Sequence, residues 1–141
     1  MIYILDTDVL SLLERSDSES LLLEMRLDRL RGGQIVTTIV SYEEQMRGWL
    51  AVAARATTTE RILAAYEKLS VHVDTFTGIP ILRFDAKAAL EFDKLRNAHL
   101  RVRTMDLKIA AIAIANHATL ITRNTTDFDK ISNVSVEDWS Q

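Results

Sequence analysis

Short runs rich in apolar residues alternate with longer segments of helical periodicity along this chain of 141 residues. This alternation restricts the fold more than any other feature. Four runs are predicted to be β-strands and a fifth is a candidate strand: Ile2–Leu5, Gln34–Thr37, Ile81–Arg83, Leu120–Thr122 and the candidate Val134–Val136. Strands separated by helices pair in parallel through right-handed crossovers. The sequence therefore predicts one α/β domain, residues 1–141, around a short parallel sheet.

Capping residues place the helices between these strands. Helices are predicted from about Asp8 to Glu14, from the cap Asp17 to about Leu30 before Gly32-Gly33, from the cap Asp85 to about Arg96, and from the cap Thr104 into a nearly all-apolar, buried segment. The segments Ser41–Glu44 and Thr57–Glu60 fit the capping-box pattern, in which Ser or Thr is followed three residues later by Glu. We expect them to open two long helices that form an antiparallel hairpin standing out from the sheet.

The composition limits which kinds of site the chain can hold. It has no cysteine and three histidines (His72, His99 and His117), and no two of these share a metal-ligand spacing. A bound metal would therefore be a hard, oxygen-ligated cation such as Mg²⁺ or Mn²⁺. The net charge of −3 provides no general attraction for nucleic acid, so a nucleic-acid partner would need a local basic patch.

The hydropathy pattern bears on the location of the protein. The N-terminus lacks the basic region and the long apolar core of a signal peptide. No apolar run approaches the roughly 18 residues that a transmembrane helix needs. We expect a cytoplasmic protein without a membrane partner.

Acidic residues follow the predicted strands. They are Asp6 and Asp8 after the first strand, Glu43 and Glu44 after the second, Asp106 in the first turn of the apolar helix, and Asp127, with the amide Asn124, after Leu120–Thr122. The carboxyl ends of parallel strands meet at one edge of a sheet, where functional groups gather. Clustered carboxylates repel one another, and a divalent cation offsets that repulsion. The pattern predicts an Mg²⁺ or Mn²⁺ site at this edge.

Some of these acids also have simpler explanations. Asp8 could be a helix N-cap, Glu44 the third-position partner of a capping box, and Asp106 a complement to a helix dipole. Asp6 has the weakest such explanation, because an acid directly after a buried strand is costly without a partner.

Two phosphate-handling folds compete for the opening motif. In a haloacid-dehalogenase-like phosphohydrolase, Asp6 would be the nucleophile and Asp8 the general acid. That family needs a suitably placed lysine and a late paired-acid motif, yet the late segment "TLITRNTTDF" contains no Gly-Asp or Asp-Asp pair. A response-regulator-like receiver would use Asp85 after Ile81–Arg83, but no lysine follows Leu120–Thr122. Both patterns are incomplete.

Four segments in order carry a stronger resemblance: "YILDTDVLSLL", "TTIVSYEEQMRGWL", "RTMDLKIAAIAIANHATLITRN" and "LITRNTTDFDKISNVSVEDW". Together they resemble PIN-domain ribonucleases, specifically the toxin component of VapBC-type toxin–antitoxin pairs. The resemblance covers nearly the whole chain. It implies a three-layer α/β/α fold with a short central parallel sheet and a protruding helical hairpin.

The resemblance also implies the site residues. Asp6, Glu44 and Asp106 would be the core metal ligands and catalytic acids, with Asn124 or Asp127 at the fourth position. Glu44 is selected over Glu43 because Gly48 follows it at the family's spacing. The implied cofactor is Mg²⁺ or Mn²⁺, which would activate water for phosphodiester hydrolysis. Supporting contacts around the ligands are expected from four residues: Thr7, Asp8, Ser41 and Thr122.

Partners follow from the same resemblance. The basic stretch "RNAHLRVR" and the arginine after the fourth strand are candidates for RNA binding through Arg96, Arg101, Arg103 and Arg123. In this family the helical hairpin, here Ser41–Leu69, receives a cognate antitoxin and supports a homodimer. A catalytically silent PIN scaffold is the remaining alternative, although a scaffold has no need of mutually repelling acids.

Overall fold

The computed structural model describes residues 1–15, 17–30 and 33–140. Five strands are present in these ranges: β1 (Ile2–Leu5), β2 (Gln34–Thr38), β3 (Ile81–Leu82), β4 (Thr119–Ile121) and β5 (Ser135–Glu137). The helices are α1 (Thr7–Leu13), α2 (Ser18–Asp28), α3 (Ile39–Arg55), α4 (Thr59–Thr77), α5 (Ala86–Asn97), α6 (Thr104–Ala115) and α7 (Thr125–Phe128). Every predicted strand is present, each within one or two residues of its predicted bounds.

The strands form one parallel sheet in the order β3-β2-β1-β4-β5. The central strand β1 pairs with both β2 and β4, so that Ile4 lies between Val36 and Leu120. This arrangement confirms the predicted parallel sheet, and it brings the carboxyl ends of β1, β2 and β4 to the same edge.

Helices cover both faces of the sheet, because successive side chains of β1 point to opposite sides. Ile4 packs in a cluster with α5 and α6, whereas Leu5 packs in a second cluster with α1, α2 and Phe76 of α4. Ile4 and Leu5 are both fully buried. The two clusters confirm the predicted three-layer α/β/α architecture.

Helix α6 is deeply buried in the core of the protein. Its continuous segment Ile109–Ala113 has no exposed surface at any of its five positions. The small alanine side chains let α6 pack closely against its neighbours on several sides, as the nearly all-apolar sequence predicts. Asp106 lies at the start of this buried helix, and its side chain is therefore held by a rigid element.

Helices α3 and α4 form the predicted hairpin. They pack against each other across the short connection at residues 56–58, so they run antiparallel. Several large apolar side chains on this hairpin are exposed: Leu50, Val52, Leu63, Tyr66, Val71 and Val73. Within the described ranges, no helix has both the length and the hydrophobicity needed to cross a bilayer.

The predicted capping box at Ser41–Glu44 is wrong. Strand β2 continues to Thr38, and α3 follows it directly at Ile39 without a loop. Thr38 is therefore the N-cap, and its Oγ1 accepts a hydrogen bond from the backbone N–H of Ser41 at 3.0 Å. Glu44 lies in the second turn of α3, where its side chain is free for a different role.

Other predicted helix starts are also shifted. Helix α1 is capped by Asp6 rather than Asp8, since Asp6 is the single residue between the end of β1 and the first helical residue, Thr7. Helix α4 is capped by Thr58 rather than by a box starting at Thr57, and α6 is preceded by Arg103, with Thr104 already helical.

The predicted caps of α2 and α5 are correct. Asp17 forms a reciprocal capping box with Ser20, and Asp85 accepts a hydrogen bond from the N–H of Ala88. Helix α2 ends at Asp28. The predicted stop at Gly32-Gly33 includes Gly32, which lies outside the described residues.

Candidate active site

A small acidic pocket lies at the carboxyl edge of the sheet. It has a volume of about 170 Å³ and is lined by Asp6, Thr7, Asp8, Glu44, Arg103, Asp106 and Asn124. We call it the acid pocket. Three elements deliver its acids: the β1–α1 junction, the second turn of α3 and the first turn of α6. The structure thus brings the three predicted core ligands together, even though they are separated by up to a hundred positions in sequence.

Asp6 is almost completely buried at the end of β1. Its Oδ1 accepts a hydrogen bond from the N–H of Thr7 at 2.8 Å, and its Oδ2 accepts one from Oγ1 of Thr122 at 2.8 Å. Burial, with a smaller contribution from the negative charge of Asp8, raises the pKa of Asp6 to about 7. The two hydrogen bonds oppose this shift only in part. A cation in the pocket would favour the ionised form of this carboxyl.

Asp106 and Arg103 form a two-point ion pair inside the pocket. Nε of Arg103 lies 3.2 Å from Oδ2 of Asp106, and Nη2 lies 3.3 Å from Oδ1. The same Nη2 lies 3.7 Å from Oε1 of Glu44. Asp106 is buried, whereas the Arg103 side chain is 66% exposed. The carboxylate of Asp106 raises the pKa of the Arg103 guanidinium, which therefore stays charged.

Glu44, and not Glu43, enters the acid pocket. Oε2 of Glu44 accepts a hydrogen bond from Oγ1 of Thr7 at 3.2 Å. Glu43, at the preceding position of α3, faces outward and pairs with Arg47. The position of Glu44 is reinforced by its neighbour Gln45, whose amide donates to the carbonyl of Thr7 at 3.3 Å. Sequence reasoning missed this bridge between α3 and α1, because nothing in the sequence marks Gln45 as a contact residue.

Asn124 lines the acid pocket, whereas Asp127 does not belong to its lining and contacts the Asn124 side chain. Nδ2 of Asn124 donates to Oδ2 of Asp127 at 3.1 Å, and Nζ of Lys130 lies 3.3 Å from the other Asp127 oxygen. The Asn124 amide and then Lys130 hold the pKa of Asp127 below its ordinary value. Of the two candidates for the fourth position, the structure therefore brings only Asn124 into direct contact with the pocket.

The predicted supporting residues divide into two groups. Thr7 and Thr122 each donate to a pocket carboxylate, as described above. Ser41 instead contacts Thr38 in the cap of α3 and does not belong to the lining of the pocket. Its predicted role next to the ligands is not supported by its position.

Asp8 is a pocket residue rather than a cap. Its Oδ2 accepts a hydrogen bond from the N–H of Arg123 at 3.3 Å, but its Oδ1 is buried without a hydrogen-bond partner in the described structure. Burial raises the pKa of Asp8, and the Arg123 contacts oppose this. A buried carboxylate oxygen without a partner is costly unless a ligand or ion satisfies it.

The four predicted RNA-binding arginines lie on different parts of the chain and have different partners. Arg103 lines the acid pocket, and Arg123 lies at its rim, where its guanidinium is 3.2 Å from Glu19. Arg96 lies on α5, paired with Asp93 and stacked over the ring of Phe92. The backbone carbonyl of Arg101 accepts a hydrogen bond from Lys130.

The donor atoms of the pocket suit a hard divalent cation, but their present arrangement is not a finished coordination site. Within the described ranges, no three acidic or histidine side chains converge closely enough to hold a metal ion. Asp106 has both oxygens paired with Arg103, and Asp6 has both engaged by threonine and backbone donors. The carboxylates, the Asn124 amide and the unpaired Asp8 oxygen are the ligand types that Mg²⁺ and Mn²⁺ prefer. A cation would fit here after side-chain rearrangement.

Comparison with known proteins identifies the family. Residues 3–134 match the family described as PIN domain. The chain is 26% identical over 145 aligned residues to "Ribonuclease VapC1" of Haemophilus influenzae strain R2866, with all of both chains covered. A solved structure of VapBC2 from Rickettsia felis bound to a promoter DNA fragment matches with a TM-score of 0.71 and 28% identity, covering 99% of each chain. VapBC-1 from nontypeable Haemophilus influenzae shares the fold, with a TM-score of 0.73, 24% identity and full coverage of both chains. The chain belongs to the PIN domain family.

Proposed function

We propose that this protein is a metal-dependent endoribonuclease that hydrolyses RNA phosphodiester bonds and acts as the toxin of a type II toxin–antitoxin pair. The observation that supports the proposal most is that Asp6, Glu44 and Asp106 line the same pocket in a chain of the PIN domain family. The similarity to proteins named Ribonuclease VapC supports the same substrate class.

The acid pocket is the proposed catalytic centre. When bound, Mg²⁺ or Mn²⁺ lowers the pKa of a ligated water and offsets charge on the scissile phosphate. Asp6, Glu44, Asp106 and Asn124 are the proposed ligands. Neighbouring residues hold these ligands in place. Thr7 and Thr122 fix the orientation of Asp6, and Asp127 fixes the Asn124 side chain by accepting a hydrogen bond from Nδ2 of Asn124. Fixed carboxylate orientations are what a metal site needs from its surroundings.

Substrate binding depends on local positive charge, because the protein is acidic overall. Arg103 and Arg123 are the arginines at the pocket and its rim, and we propose that they contact RNA phosphates. Each phosphate contact adds to the salt dependence of binding. Arg96 lies on α5 with its charge paired to Asp93, and its contribution is expected to be smaller.

The hairpin is the proposed binding surface for the antitoxin. A groove of about 580 Å³ runs between α3 and α4 and includes Trp49, Val52 and Val71 in its lining. Exposed apolar surface on a pair of helices suits an amphipathic partner helix. The similar structures are VapBC complexes, which supports a cognate antitoxin for this chain. We also propose a homodimer and a cytoplasmic location.

Cleavage of a single-stranded RNA labelled at both ends tests the proposal. The purified protein is assayed with Mg²⁺, with Mn²⁺ and with EDTA, and beside the variants Asp6→Asn and Asp106→Asn. Cleavage should require the metal and fall by at least a hundredfold in both variants. Asp93→Asn, the same change on the exposed face of α5, is the matched control and should cleave normally.

Three results would contradict the proposal. RNA cleavage that survives both pocket substitutions would exclude this site. RNA binding without cleavage in either metal would favour a silent scaffold. Hydrolysis of a phosphomonoester with a phosphoryl group trapped on Asp6 would favour the haloacid-dehalogenase-like alternative.

A further inference from the structure

We propose that Arg103 is a built-in competitor of the metal ion: its guanidinium occupies the acid pocket as an internal cation and must leave Asp106 before a divalent ion can bind there. This inference rests on the proposed metal site. It concerns a residue whose expected role was only to contact RNA.

The contact geometry is that of a cation bound to its ligands. Nε and Nη2 of Arg103 face the two oxygens of Asp106 at 3.2 and 3.3 Å, and Nη2 approaches Glu44 at 3.7 Å. A guanidinium that engages a carboxylate at two points uses both of its oxygens. A metal ion needs lone pairs on the same oxygens, so the two cations compete for Asp106.

Arg103 lies at a helix start, where an arginine side chain has no capping role of its own and is available to pair with Asp106. Arg103 is the N-cap of α6 and makes no side-chain capping hydrogen bond. A cation at a helix N-terminus is unfavourable, because the helix dipole is positive there. Arg103 lies three positions before Asp106, and its side chain reaches back over the first turn of α6 to meet that carboxylate at 3.2 and 3.3 Å. The carboxylate offsets the unfavourable position, and the arginine in turn neutralises a buried acid.

No other cation takes this place among the residues that line the acid pocket. Arg123 at the rim is paired through Nη2 with Glu19 at 3.2 Å, and Lys130 is paired with Asp127 at 3.3 Å. The Arg103 side chain is 66% exposed, so it can swing into solvent without breaking core packing. A displaced Arg103 would be available to a phosphate at the mouth of the pocket.

Competition has a thermodynamic consequence. Anything that holds Arg103 away from Asp106 must strengthen metal binding, and bound metal must by the same factor favour the outward position of Arg103. A polyanion that binds Arg103 is therefore expected to raise the affinity for the metal. Loading of the pocket would then be coupled to the presence of substrate.

Direct titration with Mn²⁺, in buffer without phosphate or RNA, tests the proposal. Binding is measured by calorimetry and by the EPR signal of free Mn²⁺ for the wild type, Arg103→Gln, Arg96→Gln and Asp106→Asn. Arg96→Gln removes an equal charge from an exposed ion pair and is the matched control. We expect Arg103→Gln to bind Mn²⁺ on the order of tenfold more tightly, a typical size for coupling between sites, and Arg96→Gln to match the wild type.

Arg103→Lys keeps the charge without the two-point fork and should have intermediate affinity, and it also serves as the test variant if Arg103→Gln does not fold. Thermal melting in EDTA is the second measurement. Arg103→Gln should melt at a lower temperature than the wild type and gain more from added Mn²⁺.

The outcomes separate this inference from the proposed function. If the wild type binds Mn²⁺ and Arg103→Gln binds it equally or more weakly, the inference is overturned and the metal site stands. If Arg103→Gln binds where the wild type scarcely does, the inference is supported. If Mn²⁺ binds to none of these proteins, or binding survives Asp106→Asn, both the metal site and the inference are overturned.

Discussion

Oγ1 of Thr122 donates a hydrogen bond of 2.8 Å to Oδ2 of Asp6, across the pairing of β4 with β1. Both residues are buried. This contact joins two neighbouring strand ends into one rigid support for the acid pocket. It also stabilises the ionised form of Asp6, and it therefore opposes the effect of burial on the pKa of that carboxyl.

Replacement of Thr122 by valine is expected to impair the pocket, because the lost hydroxyl donates to Asp6 and also accepts the backbone N–H of Asn124 at 3.0 Å. The loss of the hydroxyl raises the pKa of Asp6 beyond about 7, so less of the carboxylate is ionised at neutral pH. The acid limb of the pH profile for RNA cleavage should move to higher pH, and unfolding should become easier by about 1–3 kcal/mol. Thr122→Ser keeps the hydroxyl and should retain the wild-type profile. An unchanged profile in Thr122→Val would show that this bond does not tune Asp6.

The ionised carboxylate of Asp6 is expected to lower the free energy of unfolding at neutral and alkaline pH. Its pKa rises from 3.8 in the unfolded chain to about 7 in the folded protein, so the folded protein holds the proton more tightly. The free energy of unfolding should therefore fall as the pH rises from about 4 to 7, and the cost should be complete above that range. At 1.4 kcal/mol for each pH unit, it amounts to at most about 4 kcal/mol.

The variant Asp6→Asn isolates this effect. In EDTA at pH 8 it should be more stable than the wild type towards urea, and the advantage should disappear near pH 4. Asp93→Asn, on the exposed face of α5, should show no such pH-dependent difference. If Asp6→Asn is no more stable than the wild type at pH 8, the carboxyl does not carry the raised pKa.

The strand-end acids could be predicted because their position depends on topology alone. Once the strands are parallel, their carboxyl ends must meet, so Asp6 and the acids after β2 lie near one edge. The resemblance to PIN-domain ribonucleases selects Glu44 over Glu43 and adds Asp106, which follows α5 and a loop rather than a strand. The same reasoning cannot resolve shifts of one residue. Whether Asp6 or Asp8 caps α1 depends on how many residues separate β1 from the helix, and the sequence does not show that Asp6 alone separates them.

Contacts between remote side chains were harder to foresee than the fold. Ser41 and Glu44 fit a capping box by spacing, but β2 extends to Thr38, and backbone pairing with β3 outweighs the local signal. The ion pair between Arg103 and Asp106 has a visible sign in the sequence, a separation of three residues at the start of a predicted helix. The same arginine belongs to a basic stretch before α6, which favours an RNA contact instead, so the sequence does not decide between the two roles.

Asp127 is expected to act through Asn124. Its carboxylate accepts from Nδ2 of Asn124 and leaves the amide oxygen as the proposed ligand atom. Asp127→Ala removes that restraint, so Mn²⁺ affinity and RNA cleavage should both fall by about 10–100-fold, as is typical for residues that orient a ligand. Asp127→Asn should lose less affinity and activity, because the amide oxygen of the new side chain can still accept the hydrogen bond from Asn124.

A comparison with Asn124→Ala separates this role from direct ligation by Asp127. If Asn124 is the ligand, its removal should cost at least as much Mn²⁺ affinity as Asp127→Ala. Asp129→Ala changes an exposed acid two positions along and should have no effect. Normal Mn²⁺ affinity in Asn124→Ala together with a loss in Asp127→Ala would assign the fourth position to Asp127.

The groove between α3 and α4 provides a test of the antitoxin surface that leaves the acid pocket intact. Val71 lines the groove, whereas Val73, two positions along α4 and similarly exposed, is not part of its lining. A lysine at Val71 places a charge in apolar surface that a partner helix would bury, so binding should weaken by more than tenfold. The measurement is copurification and calorimetry with the product of the adjacent reading frame, beside RNA cleavage by each variant. Val71→Lys should escape inhibition and still cleave RNA, and Val73→Lys should be inhibited normally; equal inhibition of both variants would place the antitoxin elsewhere.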